Sequence, residues 1–585
     1  FSAEGNGKLT LTIADKPALE AAGDLSQAKG KPLMLRKGRN KLLARYESPA
    51  TGDALLRLFW TSEEVQREPV PTEALSHDLG SVKASKLLRD GRELLASRRC
   101  LKCHVTDVKV AVPEASMDAP SLEAAGARLR PEWMARWIRD PRRLRPEATM
   151  PRGANMTDAE AADIAAWLAT LGAPAAEAPK GDVALGGKLF AEMRCVGCHT
   201  LPGKAPAADR IPLQHVKGKW RPAALVAFLV KPDAHYAWIE MPVFGLKAEE
   251  AANLAAFLLE RSSDVEPLPA GDAAKGLERA KARGCVKCHA MPAPTEKAFA
   301  ALAAIPAEGW SRGCMSDAPT EKTPELGLSK DQKDALRAFV KTDLAGLTRD
   351  TAPEFAERQM RALRCAACHK RDDRQDLWGD LADETKDLLP KKKDDGEFAE
   401  FEVAVPVVPP LTWTGEKLKP EWMAAFLAGK IQDRPRPYLA SLRMPAFPVR
   451  AEGLAAGLAL EHGCPPTSPP APAPKAELSE IGRGLSGPGG GLDCLACHAI
   501  AGKSATKVFE APAPNFKYAR DRLRPDYFVR WVREPLRVEP GTKMPQFFQG
   551  GRSQLTEVLG GDASKQIDAL WNYLLEGPAI KAPGE

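Results

Sequence analysis

Five short stretches of this 585-residue chain share the pattern Cys-x-x-Cys-His: Cys100 to His104, Cys195 to His199, Cys285 to His289, Cys365 to His369 and Cys494 to His498. Two cysteines at this spacing sit on one turn and suit thioethers to the two vinyl groups of a haem, while the adjacent histidine offers an axial nitrogen to its iron. A lone CxxC also suits a redox disulfide or half of a zinc site. Five copies, each ending in histidine and each followed by related sequence, point instead to five haem c groups. The attachment pairs are Cys100 and Cys103, Cys195 and Cys198, Cys285 and Cys288, Cys365 and Cys368, and Cys494 and Cys497. His104, His199, His289, His369 and His498 are the first axial ligands.

The sequence after the motifs also repeats. RPEWMARWIRDP at 130–141 corresponds to RPAALVAFLVKP at 221–232, KPEWMAAFLAGK at 419–430 and RPDYFVRWVREP at 524–535. Each reads as a helix with proline in its first turn. Nineteen residues separate Pro131 from Met150, Pro222 from Met241 and Pro525 from Met544, and twenty-four separate Pro420 from Met444; every one of these methionines precedes a proline. A thioether opposite histidine favours ferrous iron, so Met150, Met241, Met444 and Met544 are assigned as sixth ligands. Trp133, Trp137, Trp531 and their counterparts read as packing over the haem.

The third motif lacks both the proline-led helix and a Met-Pro pair. Met315 is its candidate ligand, and Met291, His462, Cys314 and water are the alternatives. A closed iron there makes the chain an electron carrier, and an open one makes that haem a catalytic site. Cys314 and Cys464 are the two cysteines outside the motifs, and in an oxidising compartment they are expected to pair as a disulfide. His77, His215, His235 and His462 recur at no matching position and read as surface or hydrogen-bonding residues.

So long a chain exceeds a single core. Cytochrome-like units are expected at 84–172, 180–262, 270–345, 353–463 and 478–580, the third short and atypical, joined by the Pro/Ala/Gly-rich stretches GAPAAEAPKGD, VEPLPAGD and PPTSPPAPAPKAEL. Residues 1–75 read as a small β-rich module: Leu9, Leu11 and Ile13 alternate with polar residues, and further strands are expected at Leu33–Leu35, Leu42–Tyr46 and Ala54–Trp60. The expected fold class is mainly α, with five tandem haem domains after that module. The net charge of +6 turns negative once each haem adds two propionates, which argues against a nucleic-acid partner. Lys391, Lys392 and Lys393 read as a solvated loop. No apolar run approaches the roughly 20 residues of a membrane span.

The order helix, CxxCH, helix, methionine loop, helix resembles the small class I cytochrome c fold. The chain as a whole resembles large bacterial multidomain cytochromes that string such units together. The run LLARYESPATGDALLRLFWTSEEVQREPVPTEAL resembles the closing half of the protective-antigen-type β-sandwich, a module that binds carbohydrate or mediates assembly; with half the module present, a structural or docking role is expected. The resemblance implies an electron carrier between redox proteins or beside a membrane-bound respiratory complex. Its place would be the periplasm or another extracytoplasmic space, because haem is attached after export. The start at Phe1 implies an export signal removed or a trimmed start. The alternative reading is a peroxidase- or reductase-like haem enzyme with the third haem open.

Overall fold

The computed structural model describes residues 1–52, 54–63, 65–173, 177–207, 209–292, 301–317, 323–389, 408–431, 443–507 and 513–584. The lysine run at 391–393 lies outside them. The molecule is mainly α-helical with a small β-sheet at its N-terminus.

That sheet is antiparallel, with β1 (Ser2–Ile13) at its centre. β2 (Lys16–Asp24) pairs along one edge of β1, while β3 (Leu42–Glu47) and β4 (Leu56–Trp60) share the other edge, and β5 (Glu68–Pro69) pairs with β4. Alternation places Leu9, Leu11 and Ile13 on the inner face with Leu19 and Leu25. The strand expected at Leu33–Leu35 does not form. Pro32 has no N–H to give a ladder, and Met34 and Leu35 face solvent.

The sheet docks on the far end of the chain rather than on the first haem unit. Arg57 of β4 reaches Glu416 at 3.4 Å, and Arg530 bonds the same carboxylate at 3.1 and 3.0 Å. Glu68 accepts both hydrogen bonds of Arg537, at 2.6 and 2.5 Å, and one from Trp60 at 2.8 Å. Burial alone would raise the Glu68 pKa, but these donors and the Arg537 charge hold it below the usual glutamate range. The pair therefore contributes stability above about pH 4.5 that is lost as the pH falls through the depressed native value. Arg537 is partly exposed, so the contribution is about 1 kcal/mol. In acid titrations followed by chemical unfolding, Glu68→Gln should remove that part of the loss, and an unchanged profile would contradict it.

The helices that matter for the haem motifs are, in chain order, α1 (Lys83–Ser97), α2 (Pro131–Arg139), α3 (Asp158–Ala169), α4 (Val183–Glu192), α5 (Pro222–Val230), α6 (Ala248–Arg261) and α7 (Ala273–Ala282). They continue with α8 (Lys330–Asp343), α9 (Ala352–Ala362), α10 (Pro420–Leu427), α11 (Ala451–Glu461), α12 (Ala476–Ser486), α13 (Pro525–Arg533) and α14 (Ala563–Leu574). The helix entering each motif packs across a closing helix through a glycine that lets the two backbones touch. In the second, fourth and fifth units the two come from one stretch of chain: Gly186 of α4 lies on Asn253 and Phe257 of α6, Gly457 of α11 on Ala352 and Ala356 of α9, and Gly482 of α12 on Ala569 and Tyr573 of α14.

The first and third units depart from that rule, and here the structure differs from the boundaries 84–172 and 270–345. Gly91 of α1 lies on Ala335 and Phe339 of α8, while Gly276 of α7 lies on Asp163 and Trp167 of α3. Leu95, Ala96, Val112 and Ala115 share one core with Leu302, Met315, Leu336 and Phe339. Trp133, Ile138, Ile164 and Leu168 share another with Ala280 and Cys285. The front half of each unit is thus completed by the back half of the other.

Charge explains the choice. Asp163 of α3 is 6% exposed and accepts the backbone N–H of Asp272 at 2.7 Å and Nε of Arg279 at 2.6 Å, both from the α7 side. Glu160 likewise takes Arg283 at 2.7 Å. Aligned on the crossing glycines, α1 has Leu94 where α7 has Arg279, so α1 in that place would bury a carboxylate without its cation. Conversely, Arg92 of α1, 8% exposed, donates to Glu354 at 2.7 Å and to the Arg349 carbonyl at 3.2 Å just beyond α8. The residue of α7 at that position is Leu277.

Candidate functional site

All five motifs have the same local geometry. The residue before the first cysteine is left-handed (Arg99, Arg194, Gly284, Arg364 and Asp493, φ between 51° and 69°), and each first cysteine opens a 3-10 turn. After each histidine, the next carbonyl accepts one backbone N–H: Val105 from Leu302, Thr200 from Leu213, Ala290 from Leu122, Lys370 from Leu411 and Ala499 from Phe516, at 2.8 to 3.1 Å. Two residues before that donor lies the carbonyl that orients the imidazole. His289 Nδ1 meets Pro120 O, His369 meets Pro409 O and His498 meets Pro514 O, each at 2.8 Å, and His199 meets Ile211 O at 3.3 Å. A carbonyl only accepts, so Nδ1 carries the proton and Nε2 keeps its lone pair for a metal. Burial holds all four of these histidines below the usual range, His199 at about 4, despite the opposing carbonyl bond. These four sites therefore suit haem c on chemical grounds: neutral imidazole, paired sulfurs on one turn, and a buried apolar wall; the first motif has the same turn and wall.

The candidate methionines sit in or beside the same cores. Trp137 Nε1 points to Met150 Sδ at 2.9 Å and Trp531 Nε1 to Met544 Sδ at 2.8 Å, so the two tryptophans read as packing also position a sulfur. Met241 and Met444 border the cores of the second and fourth units. Met315 is buried in the core that contains Cys100, beside Trp310. In place of a second helix, 3-10 turns at Ala307–Ser311 and Gly313–Met315 carry it there.

Two sequence expectations meet corrections, and one alternative, His462 as a ligand of the third haem, is closed. Cys314 packs in the core beside Cys100, whereas Cys464 lies beside Arg57 and Arg524, and both are free thiols, so the disulfide is absent. His462 binds Leu458 O at 3.0 Å and Thr412 O at 2.7 Å and has no nitrogen left for the third haem. Met315 belongs to the wall around the first motif rather than the third. His215 and His235 are in hydrogen bonds, and His77 is exposed.

Neighbouring sites meet through two kinds of junction. In the first kind, motif faces motif: the Cys103 and Cys288 sulfurs are neighbours, Arg99 donates to Asp118 O at 2.7 Å, and Arg364 donates to Gly197 O at 2.8 Å. The methionine loops pair there too, Arg152 with Glu325 and Val243 with Ala446. In the second kind, the strands leading into the proline-led helices pair about a local twofold: Arg130 N to Lys219 O with Arg221 N to Arg128 O, and Lys419 N to Arg522 O with Arg524 N to Lys417 O. A lysine stands over aromatic rings at each of these, Lys219 between Trp133 and Trp220 and Lys417 over Tyr527 and Trp531. Burial, with Arg145 and Arg128 nearby, lowers the Lys219 pKa to about 8.

Residues 88–172 and 183–262 match the cytochrome c family model. The chain thus carries cytochrome c domains, which bind haem c covalently and transfer electrons. No curated protein and no solved structure matches the chain. The first matched segment follows the order of the sequence and so runs across the exchange, including α1 from one core and α3 from the other. Among the described residues no helix is long and apolar enough to cross a membrane.

Proposed function

We propose that the chain is an extracytoplasmic pentahaem c-type cytochrome that carries electrons between other redox proteins or to and from a membrane-bound respiratory complex. The observation that carries this reading is that all five motifs share one geometry, down to the N–H bonded to the carbonyl after each histidine. The group at each motif supplies a one-electron iron couple, and the surrounding methionine, carbonyl and apolar side chains tune it and keep water away.

The junctions support a single file of sites: first motif to third, third to second, second to fourth, fourth to fifth. The ends of that file, at Cys100 to His104 and Cys494 to His498, are where partners would exchange electrons, and Cys497 is the exposed cysteine of the motifs. Residues 1–75, similar to part of a protective-antigen-type module, act in this reading as a clamp over the fourth and fifth units. Denaturing mass spectrometry of matured protein should show five haem additions. Four or fewer would remove a site from the file and overturn the reading.

A further inference from the structure

We infer that two of the sixth ligands are exchanged between units: Met150 serves the haem of Cys285, Cys288 and His289, and Met315 serves the haem of Cys100, Cys103 and His104. This rests on the reading that both motifs carry haem. A sequence-order assignment gives Met150 to the first haem and leaves Met315 to reach the third.

The backbone around each histidine is the first ground. His289 is oriented by Pro120, and Leu122 donates to Ala290, so the wall of the third site begins in the stretch that runs on through α2 to Met150. Val105 beside His104 takes its N–H from Leu302, and that stretch runs on to Met315. The fifth unit shows the same relation undisturbed: Pro514 orients His498, Phe516 donates to Ala499, and Met544 follows α13 with its sulfur on Trp531. Met150 stands to Trp137 as Met544 stands to Trp531.

The second ground is the cores. Trp137 packs in the core that includes Cys285 and Ala280 of the third motif, and Met315 packs in the core that includes Cys100, Leu101 and Leu95 of the first. The displaced position of Met315, fifteen residues before Lys330, is no obstacle, because Met544 lies nineteen residues before Ala563. The ion pairs Arg279 with Asp163 and Arg283 with Glu160 hold the exchanged halves together. Arg99, beside Cys100, donates to Asp118 O at 2.7 Å, and Ala119 N donates to Cys288 O at 3.0 Å, so the chain crosses from one site to the other over a short span.

An optical label separates the two assignments in the intact protein. Cys285→Ala leaves the third haem attached through Cys288 alone, and a haem with one thioether has a displaced reduced α-band. In that background, Met150→Ala should let the labelled haem bind carbon monoxide, and Met315→Ala should open an unlabelled haem and leave the labelled band in place. A labelled haem that answers to Met315→Ala and ignores Met150→Ala overturns the exchange. If the single-thioether protein does not mature, Cys285→Ala with Cys288→Ala gives a four-haem protein. There Met150→Ala should leave the ferric methionine charge-transfer band unchanged and Met315→Ala should remove about a quarter of it; the opposite pattern overturns the proposal. Haem counting on the parent protein comes first: four additions with motif three bare would fail the five-haem reading itself, separately from the ligand exchange.

Discussion

Glu416→Leu is expected to cost about 3–5 kcal/mol in the region where the sheet, the fourth unit and the fifth unit meet. Glu416 is 3% exposed and is bonded to Arg530 while facing Arg57, itself 9% exposed. Removing the carboxylate leaves two guanidinium groups in a dry junction: Arg57 keeps Glu4 at 3.4 Å, and Arg530 keeps the Trp413 ring at 4.3 Å. A ring face does not replace the bonded carboxylate that Arg530 loses. Hydrogen exchange read by mass spectrometry should show lost protection in β4 and α13 together, with α4 and α6 of the second unit unaffected. Unchanged exchange at both places would mean that the junction does not depend on this charge. Glu416→Gln keeps the shape and should recover only part of the loss.

Gly276→Val is the second large effect, at about 2–3 kcal/mol. A side chain there would overlap the Asp163 carbonyl and the Trp167 Cβ, forcing α7 off α3 and pulling Arg279 from its carboxylate. Helix α3 is continuous with the wall that bears Met150, so the reduced protein should gain one carbon-monoxide-binding haem. Gly91→Val should instead separate α1 from α8 and loosen the wall of Met315. If Gly276→Val disturbs α1 and α8 while sparing α3, the exchanged packing is refuted.

Much of the site can be read from sequence because it is local. Two cysteines and a histidine on one turn need only themselves to be recognised, and the proline-led helices announce their ends through Pro131, Pro222, Pro420 and Pro525. The Met-Pro spacing carries Met150, Met241, Met444 and Met544. Other features depend on residues far apart in the chain. The carbonyls of Pro120, Pro409, Pro514 and Ile211 that orient the imidazoles are backbone groups with no letter of their own. Cys314 and Cys464 are alike in sequence, yet one faces the first haem site and the other the arginines of the sheet junction.

The sequence by itself determined the CxxCH turns, the proline-led helices and the β-rich start, since each follows from spacing within a few turns. Only the tertiary structure decided which halves complete the first and third sites. Eighteen residues separate His104 from Leu122, and eighteen separate His498 from Phe516, so local spacing pairs the first motif with its own downstream segment. That pairing is overridden by a buried carboxylate, Asp163, whose cation is Arg279, 116 residues away. The cost of leaving Asp163 uncompensated in a dry interface is a property of the assembled cores, and no window of sequence short enough to read as a motif contains both partners.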